Sequence, residues 1–209
     1  MENNVTYFLK NGSTFRITSK EDLDISEKLG PGNYVVKFDP RSGYYLETHE
    51  IFENPTKLYG DTDKVARRII NTFQSRKSIT GVLLSGEKGS GKTLLAKHIA
   101  SIVLMELDIP TLIINTNYRG EQFNSFIESI EQPMVLFFDE FEKVYEQEEQ
   151  SSLLTLLDGT VTTKKLVIFT VNDRYALSEY LNNRPGRIFY SRVFDGLDIE
   201  FVRDYIQDN

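Results

Sequence analysis

The chain has 209 residues, 40% of them hydrophobic and 26% charged, with a formal net charge of −7 and no cysteine. That balance fits one packed domain with a small addition. It excludes disulfides and cysteine-based zinc sites, and it gives no global attraction to nucleic acid or anionic membranes, although a local basic patch stays open.

The opening MENNVTYF lacks the apolar core of a signal peptide, and no apolar run approaches the ~20 residues of a membrane helix. A cytoplasmic protein without a membrane partner is expected. His49 and His98 are too scattered for a metal cluster and read as ordinary surface or packing residues.

Residues 1–56 read as a small, mostly β module. Thr6 to Leu9 and Phe15 to Thr18 flank Asn11-Gly12, a hairpin signal. Tyr34, Val36 and Phe38 alternate with Val35 and Lys37, and Tyr44, Leu46 and Thr48 alternate with Tyr45, Glu47 and His49. Asp39-Pro40-Arg41-Ser42-Gly43 between them has strong turn chemistry. So short a segment buries little surface alone, so packing on a larger domain is expected. Asn54-Pro55 marks the junction to a second unit, residues 57–209.

Asp61 is placed to cap a helix running to about Phe73, with Val65, Ile69, Ile70 and Phe73 on one face. Strands and helices then alternate. The expected strands are Gly81 to Leu84, Thr111 to Ile114, Met134 to Phe138 and Leu166 to Thr170. The expected helices are Thr93 to Leu107, Gln122 to Ser129 and Gln147 to Leu157. This order predicts an α/β fold, a parallel sheet covered on both faces.

Between the strand ending at Leu84 and the helix starting at Thr93 lies GEKGSGKT, Gly86 to Thr93, which fits GxxxxGK[ST] at every fixed position. A glycine-rich turn opening a helix aims backbone N–H groups and the helix's positive end at one spot, a phosphate site. Lys92 can reach the outer phosphates of a nucleoside triphosphate, and the Thr93 hydroxyl can bind Mg²⁺. Asp139-Glu140 end the apolar strand Met134 to Phe138, matching the Walker B pattern. At the carboxyl end of a sheet strand, Asp139 meets that Mg²⁺ and Glu140 is placed to activate a water against the γ-phosphate. Asn172, after the strand Leu166 to Thr170, would face the same spot, although an Asn-Asp turn is common by itself. Arg184 and Arg187 flank Pro185-Gly186, a rigid cationic pair suited to phosphate.

These elements, in this order and spacing, resemble the AAA+ ATPases over residues 58 to about 205. The compact size and the N-terminal β module are similar to small phage-encoded AAA proteins. The resemblance implies a P-loop NTPase that hydrolyses ATP with Mg²⁺ in a homo-oligomeric, hexameric ring, remodelling, unfolding or dismantling a protein client. The module of residues 1–56 would select that client. The resemblance further implies Glu140 as catalytic base, Asn172 as sensor, and Arg184 and Arg187 as fingers reaching a neighbour's nucleotide. Nucleotide contacts are implied from Tyr59 and Gly60 at the adenine, and along the loop from Gly86 through Glu87, Lys88, Gly89, Ser90, Gly91, Lys92 and Thr93 to Leu94. Glu87-Lys88 stand where many members have two prolines, which removes no required ligand.

Two features depart further from the family. Tyr118-Arg119-Gly120 after the second strand resemble an aromatic–hydrophobic–glycine pore loop, but Arg119 replaces the apolar residue and a plain surface loop fits equally. Beyond the arginines only Val193 to Asn209 remain for a helical lid, which is therefore expected to be missing or truncated, with one short helix around Ile199 to Ile206. A nucleic-acid-handling ATPase, a loader or translocase, is the alternative. Arg67, Arg68, Arg76 and Lys77 would contact phosphates, although a solvated basic helix face explains them as well.

Overall fold

The computed structural model describes residues 7–11, 13–18, 24–53, 58, 60–77, 79–153, 157, 163–178, 181 and 188–196. Tyr7–Asn11 (β1) and Thr14–Thr18 (β2) pair as an antiparallel hairpin, with Asn11 opposite Thr14, and form a two-stranded sheet of their own. Asn33–Asp39 (β3) and Gly43–His49 (β4) make a second hairpin, with Phe38 opposite Tyr44. Its turn closes because the Asp39 carboxylate accepts hydrogen bonds from the amides of Arg41 and Ser42.

This second hairpin continues the main sheet. β3 runs parallel to Thr111–Ile114 (β6), with Asn33 beside Thr111. With Thr80–Gly86 (β5), Met134–Phe138 (β7), Lys165–Val171 (β8) and Ile188–Phe194 (β9), the seven strands lie in the order β4-β3-β6-β7-β8-β5-β9. All neighbours are parallel except β3 and β4. No break in the sheet therefore falls at residue 56. The hairpin covers the backbone edge that β6 would otherwise expose. Val35 and Val36 are buried on opposite faces, one in each core.

Helices cover both faces. Thr62–Ser75 (α1) buries Ala66, Ile69, Ile70 and Phe73, and packs beside Lys92–Leu107 (α2). α2 is buried on most sides through Leu95, Ala96, Ile99, Ala100 and Val103. Glu121–Ser129 (α3) supplies Phe123 and Ile127 to the opposite face. Phe141–Val144 (α4) adds Phe141, whose ring meets Phe169 at 4.8 Å. Among the described residues no helix is long and apolar enough to cross a membrane.

Three elements differ from expectation. The helix expected over Gln147 to Leu157 is, as far as residue 153, a turn followed by a 3-10 turn at Gln150–Leu153. Fully buried Gln150 explains this. Its amide donates to the carbonyls of Tyr145 and Ala176 and its oxygen accepts from the Ser178 amide, so the segment is pinned by long-range bonds. The short α4 is an addition to the expected elements. So is β9, an edge strand whose half-buried side carries Ile188, Tyr190, Arg192 and Phe194 while Phe189 and Val193 face out. Apolar and polar residues on both sides erase the period-two signal. The helix expected around Ile199 to Ile206 lies outside the described residues.

Candidate nucleotide site

The phosphate loop begins where apolar β5 ends. Gly86 has φ 140°, and a Cβ there would lie 2.3 Å from the Phe194 carbonyl oxygen, so β9 leaves room only for glycine. Gly91 has φ 98° and sits at the N-cap position of the 16-residue α2. Backbone amides and a helix N-terminus therefore converge on one point, where an anion is favoured. Lys92 is 5% exposed, and its ammonium donates to the carbonyls of Gly86 (2.7 Å) and Glu87 (2.6 Å). Burial pushes its pKa down, opposed by the charges of Glu142, Asp139 and Glu140. Glu87, Lys88 and Gly89 are exposed, Ser90 Oγ lies 3.5 Å from the ammonium, and Leu94 is 40% exposed on the first turn of α2.

The acids stand beside this loop. Asp139 Oδ1 accepts from Thr93 Oγ1 at 2.9 Å and from Thr170 Oγ1 at 2.5 Å. The Thr170 oxygen in turn accepts from the Glu140 amide at 2.9 Å. One hydrogen-bond chain thus ties α2, β7 and β8 together. Glu140 occupies the left-handed region with φ 47°. Its Oε1 accepts from Lys143 Nζ at 2.6 Å and from Asn172 Nδ2 at 3.3 Å. The Lys143 bond is the main reason the Glu140 carboxyl is held below the usual range. Asn172 also donates twice to Glu142 Oε1, from its backbone and side-chain nitrogens, both at 2.9 Å. Glu142 Oε2 is buried with no hydrogen-bond partner among the described residues.

Lys92, Thr93, Asp139, Glu140 and Asn172 therefore meet at the carboxyl ends of β5, β7 and β8. Thr170, Glu142 and Lys143 join them, although the motifs in the sequence do not include them. Glu142 and Lys143 have a signal, the run Asp139-Glu140-Phe141-Glu142-Lys143. Thr170 reads only as the end of an apolar strand. A cavity of about 570 Å³ opens next to the loop, between Gly86 and Glu87, the Asn172–Tyr175 turn, and Phe194 to Gly196.

Gly60, with φ 65°, leads into α1. Tyr59, Arg184 and Arg187 lie outside the described residues. The expected capping role of Asp61 is corrected. It holds the N-cap position without a side-chain cap bond, because Arg192 of β9 takes its carboxylate through two bonds of 2.9 and 2.6 Å. This pair lowers the Asp61 pKa.

Tyr118-Arg119-Gly120 follows β6, which β7 and β8 separate from β5. The half-buried Tyr118 ring packs edge-on against Tyr44 of β4 at 5.3 Å and lies 5.8 Å from Phe123. The Tyr145 hydroxyl sits among the Thr116 carbonyl, the Tyr118 carbonyl and the Tyr118 amide. Arg119 is the exposed side chain of this loop and pairs with Glu149, while Gly120, with φ 84°, opens α3.

Residues 82–193, more than half of the chain, match the family model described as ATPase family associated with various cellular activities (AAA). The chain belongs to the AAA family. One relative of this AAA chain is an "AAA ATPase forming ring-shaped complexes" of Corynebacterium diphtheriae, 25% identical over 85% of this chain and 45% of that protein. A protein of the same description from Corynebacterium jeikeium is 29% identical over 79% of this chain and 41% of its own length. The "ATP-dependent zinc metalloprotease FtsH 2" of Petrotoga mobilis is 30% identical over 85% of this chain and 32% of its own length. The AAA chain thus spans less than half the length of these relatives.

The AAA site also has the oxygen donors for a hard cation. A hydroxyl and a carboxylate, Thr93 and Asp139, stand 2.9 Å apart. Among the described residues no group of three or more His, Cys, Asp or Glu forms a metal cage. A divalent ion here would draw further ligands from phosphate and water, the habit of Mg²⁺.

Proposed function

We propose that this AAA chain hydrolyses ATP to ADP and phosphate with Mg²⁺, within a homo-oligomeric, hexameric ring in the cytoplasm that remodels, unfolds or dismantles a protein client. The hydrogen-bond chain Thr93–Asp139–Thr170–Glu140 carries the reading, because it joins the phosphate loop to both acids. Lys92 turns from the loop carbonyls to the β- and γ-phosphates. Tyr59 and Gly60 would flank the adenine. Thr93 and Asp139 would hold Mg²⁺, which when bound supplies charge neutralisation on the phosphate oxygens.

Glu140 accepts a proton from the attacking water. The new bond joins water oxygen to the γ-phosphorus, and the bond to the β–γ bridging oxygen breaks. Asn172, already within 3.3 Å of Glu140, orients that water. Arg184 and Arg187 would come from the neighbouring subunit, where added positive charge stabilises the transferred phosphoryl group. Ring formation is supported by the description of the Corynebacterium relatives, and residues 1–56 would select the client. Tyr118-Arg119-Gly120 would line the pore, with Arg119 the side chain now facing solvent.

Glu140→Gln should retain ATP while steady-state turnover falls by about 10² or more, the contribution of a positioned base. Phosphate release and nucleotide retention measure the two effects. Turnover at the parent rate would remove Glu140 from the role of base.

A further inference from the structure

α1 carries two stripes. The inward one is Ala66, Ile69, Ile70 and Phe73. The outward one is Lys64, Arg67, Arg68, Asn71, Thr72 and Ser75, spaced i, i+3, i+4, i+7, i+8, i+11. None is an acid, and the donors left for a ligand are those of Lys64, Arg67, Arg68 and Asn71, because the Thr72 and Ser75 hydroxyls donate to the carbonyls of Arg68 and Thr72. With Tyr190 of β9 they line a groove of about 470 Å³. In a chain of net charge −7, such a surface runs against the overall balance.

The charges around the groove divide it. Asp63 and Glu106 both engage Arg67, at 3.7 and 2.5 Å, and draw it towards α2. Among the described residues Lys64 and Arg68 enter no ion pair, and both are exposed. The Arg68 guanidinium lies 5.7 Å from the Tyr190 ring centre. That ring is fixed by a 2.7 Å bond between the Tyr190 and Thr72 hydroxyls. Beyond the end of α1, the Arg76 guanidinium rests over the Phe189 ring at 4.5 Å, and Lys77 is exposed.

We infer that this groove docks the phosphodiester backbone of single-stranded nucleic acid. The 14-residue α1 is about 21 Å long, enough to run beside several consecutive phosphates of a strand. Guanidinium forks match phosphate oxygens in pairs. The guanidinium–aromatic layers at Tyr190 and Phe189 favour nucleic acid over an acidic peptide, because they offer flat surfaces on which bases stack. This goes beyond remodelling of a protein client: it would bring the ATPase to clients that are themselves bound to nucleic acid.

Fluorescence anisotropy with a labelled single strand and the matching duplex tests it, using the full chain with ATP and Mg²⁺. Lys64→Glu with Arg68→Glu should weaken binding at least about tenfold. It should also make the slope of log affinity against log salt shallower by about 1.4 for a single strand, because two phosphates keep their counterions. Lys28→Glu with Arg41→Glu, the same charge change on exposed residues elsewhere, should weaken it less than about twofold. ATP turnover of the α1 double variant should match the parent, which also shows that it folds. If it does not fold, the two alanine replacements should still lose affinity. Absence of saturable binding by the parent chain would overturn the inference, as would equal weakening by both double variants. Displacement by polyglutamate as effective as by nucleic acid would assign the groove to an acidic protein instead.

Discussion

Thr170 holds the site together with one hydroxyl. It donates to Asp139 and accepts from the Glu140 amide, so it fixes the acid and the turn that carries its neighbour. Thr170→Val keeps the shape and removes both bonds. Turnover should drop about tenfold with little change in ATP affinity, since Lys92 and the loop amides are untouched, while Thr170→Ser should recover most of it. Steady-state kinetics and nucleotide titration separate the effects; a weakened affinity with unchanged turnover would contradict this role. Thr170 is illegible in the sequence because β-branched residues fill strands for packing reasons alone. Asp139 and Glu140 are legible because two acids at the end of an unbroken apolar strand have no packing use.

At the scale of elements, β8 carries its own titratable anomaly. Lys165, its first residue, is 1% exposed, and burial pushes its pKa down to about 8. Its ammonium donates to the Thr163 hydroxyl at 2.7 Å and the Ile130 carbonyl at 3.3 Å, with no carboxylate in contact among the described residues. The unfolded chain, with an ordinary lysine near 10.4, binds more protons than the folded one between about pH 8 and about pH 10. Stability therefore rises with pH through that window, by up to the order of 3 kcal/mol from this group. Urea unfolding of Lys165→Met should lack that rise and show greater stability than the parent at neutral pH. A parallel pH dependence in both proteins would refute the assignment.

The elements themselves are unequally legible. β5, β6, β7 and β8 are short apolar runs and α1 has a one-sided apolar stripe, patterns that burial on both faces or on one imposes directly. β9 is half-buried on one side only and mixes its residues. The turn at Gln150 depends on carbonyls and amides that arrive from elsewhere in the chain.

At the scale of the molecule, the strands β3 and β4 before residue 56 and those after residue 79 share one sheet and two cores. Val36, fully buried, lies in the same core as Leu112, Leu136 and Phe169. Val36→Ala should cost about 2 kcal/mol and lower a single unfolding transition as a whole. A separate early transition for the hairpin, seen by calorimetry, would show that it folds as its own unit. The continuity reaches the loop after β6: Tyr44 of the hairpin meets Tyr118, and Tyr145, at the end of α4 opposite Glu140, holds that same loop.

Sequence alone determined the phosphate loop, the acidic strand end and the alternating α/β order, because each is a local pattern that one stretch of chain must satisfy by itself. Only the tertiary structure decided which hydroxyl bridges the acids, which arginine takes Asp61, and where the second hairpin attaches. Those pairings join Asp139 to Thr170 across 31 positions, Asp61 to Arg192 across 131, and β3 to β6. They are set by strand order, and strand order depends on how apolar faces and backbone edges are buried together.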